Sequence, residues 1–191
     1  SLLSQAAATV GGPAIRNMAS IGGNIVTASP AADSLPALYL LDARLELRSA
    51  AGSRSVAIDE FILGPRRTML QPGEIISRII LPPFMGWNIQ RFEKVGRRKS
   101  LAIAVASLAA ALRLTADGTV AEARFAWGSV GPTVLRCAEA EQALIGKPLS
   151  EESLNAAALL AQQAVQPIDD IRATADYRRS VAGNLLFRLV A

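Results

Sequence analysis

Residues 15–33 read IRNMASIGGNIVTASPAAD, and this stretch carries most of the chemistry that the sequence offers. Its centre is Ser20 to Asn24 (SIGGN), and an acid, Asp33, follows nine residues later. Glycine tolerates positive φ, so Gly22 and Gly23 predict a turn at which another molecule can approach the main chain closely. Ser20 and Asn24 add hydrogen-bonding side chains, and consecutive amide N–H groups there predict a nest for an anion. Asp33 is expected to accept hydrogen bonds from sugar-like hydroxyl groups.

Taken alone, the Gly22-Gly23 pair is weak evidence, because an ordinary structural turn explains it better than a ligand site does. The pattern is neither of the two commonest phosphate loops. No Gly-Lys-Ser/Thr follows it, so the Walker lysine is absent, and the sequence contains no G-x-G-x-x-G fingerprint. Any ligand site at this motif is therefore of another kind.

Composition excludes several classes of protein. The 191 residues contain no histidine, the commonest general base and metal ligand. Cys137 is the only cysteine, so this chain cannot hold an iron–sulfur cluster, which needs about four cysteine ligands. We expect Cys137 to be a small buried packing residue. A redox metal, if one is used, must belong to another chain.

The net charge is +4, and arginines outnumber lysines by 17 to 3. The densest basic cluster is Arg97-Arg98-Lys99, which has no aromatic residue beside it for stacking on bases. A solvated loop explains this cluster better than a nucleic-acid groove does. We therefore expect no nucleic-acid partner.

The longest apolar stretch, residues 101–112, is too short to span a membrane and is rich in alanine. No basic, apolar and small-residue signal segment opens the chain. These features predict a cytoplasmic protein with no membrane partner. The chain has no initiating methionine, so we also expect it to be a fragment.

The first half predicts helices and a hairpin. A helix is expected over 2–8, ended by Gly11-Gly12-Pro13, and a second begins after Asp33 as its N-cap. Alternating residues predict a hairpin of strands 44–48 and 54–58. Residues 59–70 predict a short helix and a loop, and residues 74–81 predict another strand, followed by a domain boundary near 82–86.

The second half predicts three strands followed by three helices. The strands are expected over residues 88–95, 104–114 and 121–130. The first helix spans 136–145, the second is capped by Ser150, and the third presents one apolar stripe. The stripe consists of Tyr177, Val181, Leu185 and Leu189. The segment DDIRATADYRR (169–179) is explained by structure alone, with Thr174 as a cap and arginines paired to nearby acids.

Several strings resemble those of one flavoprotein family. The SIGGN motif followed by SPAADSLP (29–36) is similar to the second flavin-binding motif in the FAD subunits of molybdenum hydroxylases, the xanthine and carbon monoxide dehydrogenase group. FEKVGRR (92–98), GSVGPT (128–133) and DDIRATADYRR resemble the C-terminal domain of the same flavoproteins. The resemblance covers nearly the whole chain.

The resemblance implies an α+β fold in two units. Residues 1–84 would be the second lobe of a two-lobed FAD-binding domain, with an antiparallel sheet and helices. Residues 85–191 would be a C-terminal domain with a three-stranded antiparallel sheet and three helices. The family's first lobe, with its own glycine-rich pyrophosphate loop, would lie outside this chain, so we expect the isolated chain to be inactive.

By the same resemblance the cofactor is FAD, and no side chain is expected to act as an acid, base or nucleophile. The implied contact residues are Ser20, Ile21, Gly22, Gly23, Asn24, Asp33, Ile76 and Lys94. The implied partners are a [2Fe–2S] small subunit and a molybdopterin large subunit, with NAD or another molecule as electron acceptor. The alternative is a non-catalytic interaction or assembly fragment that binds no cofactor alone.

Overall fold

The computed structural model describes residues 1–83, 86–98 and 101–190. The first part begins with four short helices, of which the first and the fourth were predicted from the sequence and the second and third were not. They are α1 (Leu2–Ala8), α2 (Pro13–Met18), α3 (Ile21–Thr27) and α4 (Ser34–Leu40). Within the described ranges, no helix is both long and apolar enough to cross a membrane.

A small antiparallel sheet follows these helices. Its strands are β1 (Arg44–Ser49), β2 (Gly52–Ala57) and β5 (Ile75–Ile80), with β1 in the middle. The predicted hairpin and third strand are confirmed. Residues 59–70 were expected to form a short helix and a loop. The helix is present as α5 (Ile58–Phe61). A two-stranded ribbon, β3 (Ile62–Gly64) and β4 (Arg67–Thr68), takes the place of the loop.

The second part begins with a longer antiparallel sheet. Its strands are β6 (Ile89–Gly96), β7 (Ala104–Leu114) and β8 (Val120–Gly128), with β7 in the middle. Three helices follow, α6 (Ala138–Gln142), α7 (Glu151–Ala164) and α8 (Ala175–Asn184), and a 3-10 helix over Leu185–Leu189. The predicted order of three strands and three helices is confirmed.

The predicted caps of this half are also confirmed. The Ser150 hydroxyl accepts a hydrogen bond from Ser153 N at 3.3 Å, and the Thr174 hydroxyl accepts one from Tyr177 N at 3.2 Å. The apolar stripe on the last helix is wrong at its first position, because Tyr177 is 52% exposed. The stripe begins at Val181 instead, which is 9% exposed.

The long sheet is covered on both faces, which explains why nine consecutive residues of β7 are buried. Ala109 and Ala111 face the helices of the first part, whereas Leu108 and Leu112 face α6, α7 and α8. The side chains alternate between the two faces, as the pleat of a strand requires. One apolar cluster therefore contains residues from both halves of the chain.

Helix α4 lies at the centre of that shared cluster. All seven of its residues are buried, from Ser34 to Leu40. Asp33 precedes it, but the expected capping role is wrong: Asp33 has helical dihedral angles and its side chain makes no capping hydrogen bond. The carboxylate instead forms an ion pair with Lys94 of β6, at 2.5 Å between Oδ2 and Nζ. An opposite charge inside the core competes more strongly for this carboxylate than the helix N–H groups do.

Close backbone contact joins α4 to the long sheet. A Cβ atom built on Gly128 would lie 2.6 Å from Ser107 Oγ and 2.8 Å from Pro36 Cγ. Next to it, Ser129 N donates to Pro30 O at 2.9 Å. The end of β8 therefore packs against the start of α4 without room for a side chain.

We predict that Gly128→Ala lowers the free energy of unfolding by about 1–3 kcal/mol, because the added methyl overpacks this contact. Gly131→Ala is the matched control, since its Cβ would meet no atom closer than 3.6 Å. Urea unfolding of both variants measures the difference. Equal stability of the two variants would contradict the close contact.

We predict that Lys94→Met lowers the free energy of unfolding by about 3–5 kcal/mol at neutral pH, because it leaves the Asp33 carboxylate buried without its counter-ion. In Asp33→Asn/Lys94→Met both charges are removed, so the double variant is expected to lose less than the sum of the two single variants.

The exposed pair Arg113 and Glu122, with 43% of each side chain accessible, is the matched control. Its coupling energy in the same double-mutant cycle is expected to be about 0.2–1 kcal/mol. A coupling between Asp33 and Lys94 no larger than this would show that the buried pair does not hold the two halves together.

Candidate functional site

The SIGGN motif forms the start of helix α3. The Ser20 hydroxyl accepts a hydrogen bond from Gly23 N at 3.0 Å, and Asn24 N donates to Ser20 O at 3.1 Å. Neither Gly22 nor Gly23 has positive φ, so the predicted glycine turn is wrong and a helical turn takes its place. The serine N-cap signal outweighs the conformational freedom of the glycines. Their contribution is two adjacent positions without side chains in the first helical turn.

A cleft of about 470 Å³ lies beside this turn, between α1, α2 and α3; we call it the motif cleft. Its lining includes four of the predicted contact residues, Ser20, Ile21, Gly23 and Asn24. Gly22 is not among them: its Cβ position points towards Ile76 of β5, 3.9 Å from the Ile76 Cβ atom. Ile76 therefore packs behind the glycine turn and lines neither this cleft nor the next.

The Asn24 side chain is held by a residue that sequence reasoning missed. The Ser34 hydroxyl, in a residue that is 3% exposed, donates to Asn24 Oδ1 at 2.6 Å. Because the amide oxygen is engaged, the Asn24 NH₂ group is directed away from Ser34 as a donor for a ligand. Ser34 also lines the motif cleft. The signal in the sequence was its place in the SPAADSLP string.

A second cleft, of about 630 Å³, lies on the other side of α2; we call it the lysine cleft. Its lining includes Thr9, Lys94 and Arg98. Two residues of α2, Ile15 and Arg16, line both clefts. Helix α2 thus forms the wall between them.

Helix α2 is itself only lightly attached, because none of its residues is buried. Gly11 has φ of +48°, and a Cβ atom there would lie 2.9 Å from Ile15 Cδ1. This left-handed position lets the chain leave α1 sharply and turn into α2. The Arg16 guanidinium spans the turn, with Nη1 donating to Val10 O and Gly11 O at 3.0 Å each.

Asp33 and Lys94 meet between the clefts and the shared core. Their side chains are 7% and 10% exposed, and Lys94 Nζ also donates to Thr9 O at 3.0 Å. Burial raises the pKa of the Asp33 carboxyl, and the hydrogen bond and charge of Lys94 act against that rise. Asp33 Oδ1 is buried without a hydrogen-bond partner in the described part of the chain. Only Lys94 of this pair lines a cleft.

Other singled-out residues have structural roles, as predicted. Arg178 is 3% exposed and donates to Asp170 at 2.6 Å and to the carbonyls of Val105 and Ser129. The Arg172 guanidinium beside Asp170 holds the pKa of that carboxyl well below its usual range. Cys137 is buried, and burial raises the pKa of its thiol.

In the basic cluster, Arg97 and Arg98 are exposed and donate to the carbonyls of Ile171 and Leu101. Lys99 lies outside the described residues, as do Phe84 and Met85 of the predicted domain boundary. The exposed loop interpretation holds for the two arginines.

Two family descriptions match the chain. "FAD binding domain in molybdopterin dehydrogenase" matches residues 1–84, and "CO dehydrogenase flavoprotein C-terminal domain" matches residues 91–191.

Similar proteins agree with these matches. The chain is 35% identical over 188 residues to the carbon monoxide dehydrogenase medium chain of Hydrogenophaga pseudoflava, covering 98% of this chain and 64% of that protein. It is 35% identical over 177 residues to the xanthine dehydrogenase FAD-binding subunit of Escherichia coli O157:H7, covering 92% and 60%. The chain thus spans less than two thirds of the length of these relatives.

The fold agrees as well. The structure of the Hydrogenophaga pseudoflava carbon monoxide dehydrogenase lacking the Mo-pyranopterin moiety superposes with a TM-score of 0.91 at 35% identity, covering 99% of this chain and 65% of that one. The α+β architecture, a helical and sheet-containing first part followed by a flavoprotein C-terminal domain, is therefore confirmed. The chain belongs to the family of FAD-binding subunits of molybdenum-containing dehydrogenases, whose cofactor is FAD.

Proposed function

We propose that this chain supplies one wall of an FAD site, formed by the motif cleft and the lysine cleft on the two sides of α2. The observation that carries the proposal is the position without a side chain at Gly23, in the first turn of α3 at the motif cleft, flanked by the Ser20 and Asn24 side chains. The family resemblance implies that FAD lies between two lobes, so open clefts on both sides of α2 suit a cofactor that the other lobe covers.

The residues present fit such a group. Gly23 leaves the cleft open, since a Cβ atom there would already lie 3.2 Å from Ser20 Oγ. Asn24, oriented by Ser34, presents donors to hydroxyl or carbonyl oxygens. Lys94 brings an ammonium group to the edge of the lysine cleft. We propose contacts from Ser20, Ile21, Gly23, Asn24 and Lys94.

Three of the residues inferred from the sequence support the site without lining either cleft: Gly22, Asp33 and Ile76. Asp33 holds Lys94 in place through the ion pair between Oδ2 and Nζ. Ile76 packs behind the glycine turn and keeps it against β5. When FAD is bound, its isoalloxazine ring carries the electrons. The proposed contact residues would bind and orient the cofactor and exclude water from it.

We propose that the whole protein passes electrons from a [2Fe–2S] subunit, itself served by a molybdopterin subunit, through FAD to NAD or another acceptor. Relatives named a medium chain and a dehydrogenase complex subunit are parts of larger assemblies, which supports this. We further propose a cytoplasmic location and a division into residues 1–84 and 85–191.

Co-purification of the native protein tests the partners. Stable association calls for an interface of about 1,200 Å² or more. We expect iron, acid-labile sulfide and molybdopterin to elute with it under mild conditions. A lone, stable flavoprotein would contradict the proposed assembly.

We predict that Gly23→Val abolishes flavin retention in the native protein with little loss of stability. The branched side chain fills the open turn and crowds the Ser20 hydroxyl, while the position itself is exposed and outside the core. Flavin absorbance per protein measures occupancy, and Gly23→Ala should lie between wild type and Gly23→Val. Full occupancy in Gly23→Val would reject the assignment of this turn.

We predict that a polypeptide of these 191 residues alone is inactive and colourless, and that about 50 µM FAD raises its unfolding temperature by no more than about 1 °C. With contacts on one side only, FAD keeps the entropic cost of binding but loses much of the compensating interaction. Thermal unfolding with and without FAD measures this. A yellow preparation would show that one wall suffices.

A further inference from the structure

FAD brings a charge that the proposed contact residues do not balance. Its pyrophosphate is a dianion, and an anion that is withdrawn from water needs a nearby cation or strong donors. Lys94 is the only cation among the contact residues inferred from the sequence, and the Asp33 carboxylate already neutralises it at 2.5 Å. Besides the pyrophosphate loop implied for the other lobe, any cation that this chain's wall offers to the pyrophosphate must therefore be a residue other than Lys94.

Arg16 is placed to supply it. It is the one cationic residue lining the motif cleft within the described part of the chain, and it also lines the lysine cleft. Among the described residues no carboxylate lies within ion-pair distance of its guanidinium, and none lines either cleft. Its positive charge is therefore uncompensated at the boundary between the two halves of the proposed site.

The Arg16 side chain is also held in place before any ligand arrives. Nη1 is fixed by the carbonyls of Val10 and Gly11, which leaves Nε and Nη2 with hydrogens for another acceptor. A guanidinium anchored in this way loses little further entropy when it binds, and its planar donors match two phosphate oxygens. The turn at Gly11 therefore holds the positive charge of Arg16 in a fixed position.

We propose that Arg16 is a binding residue for the pyrophosphate of FAD, meeting it from this chain's wall of the site. The inference rests on the proposed function and adds a residue outside the SIGGN motif to it. The competing cation is Arg98, which lines the lysine cleft alone and donates to Leu101 O.

The test uses the native protein, stripped of flavin and titrated with FAD and with riboflavin, which lacks phosphate. Arg16→Gln should weaken FAD binding about 10- to 100-fold, the effect of losing one charged hydrogen-bonding group, and leave riboflavin binding within about twofold. Arg16→Lys keeps the charge and should lose less. Arg44→Gln, an exposed arginine on β1, is the matched surface control.

The outcomes separate the two proposals. Equal losses for FAD and riboflavin in Arg16→Gln would give Arg16 a merely structural role in the turn and overturn the inference. An FAD-specific loss in Arg98→Gln but not in Arg16→Gln would move the phosphate to the lysine cleft and also overturn it. Wild-type protein that binds neither flavin would reject the proposed function itself.

Discussion

The burial of helix α4 on all sides constrains the rest of this structure. A helix with seven buried residues must be packed by several elements at once, and here they come from both halves of the chain. On one side the long sheet presents the small residues Ala109 and Ala111, and at the helix start Gly128 leaves no side chain at all. Removing that space would push α4 away from the sheet, since protein interiors tolerate little added volume.

The candidate site is built on the same helix. Asp33 and Ser34, adjacent at the start of α4, reach in different directions, one to Lys94 on the long sheet and the other to Asn24 on α3. A displacement of α4 would therefore disturb the ammonium of the lysine cleft and the amide of the motif cleft together. A change in the core packing of α4 would therefore also change the geometry of both clefts.

Sequence reasoning succeeded where a local signal decides the structure. The strands and the Ser150 and Thr174 caps depend on periodicity and on side chains within a few residues. It failed where distant residues compete for a group. Asp33 has a favourable cap position, but the choice of Lys94, 61 residues away, depends on the tertiary fold. Gly22 and Gly23 misled for another reason, because glycine permits positive φ without requiring it.

The two cations at the clefts, Lys94 and Arg16, differ in burial and in charge compensation. Burial of the Lys94 ammonium carries a desolvation penalty, and the ion pair with Asp33 offsets part of it. The pair can therefore remain charged while adding little net electrostatic potential to the cleft. Arg16 is exposed, carries no such partner among the described residues and is oriented by carbonyl oxygens alone. An anion approaching the wall between the clefts therefore meets a positive charge that no carboxylate of the described residues neutralises. A buried, neutralised lysine suits the positioning of a neutral ring system, whereas an exposed, fixed guanidinium suits a phosphate.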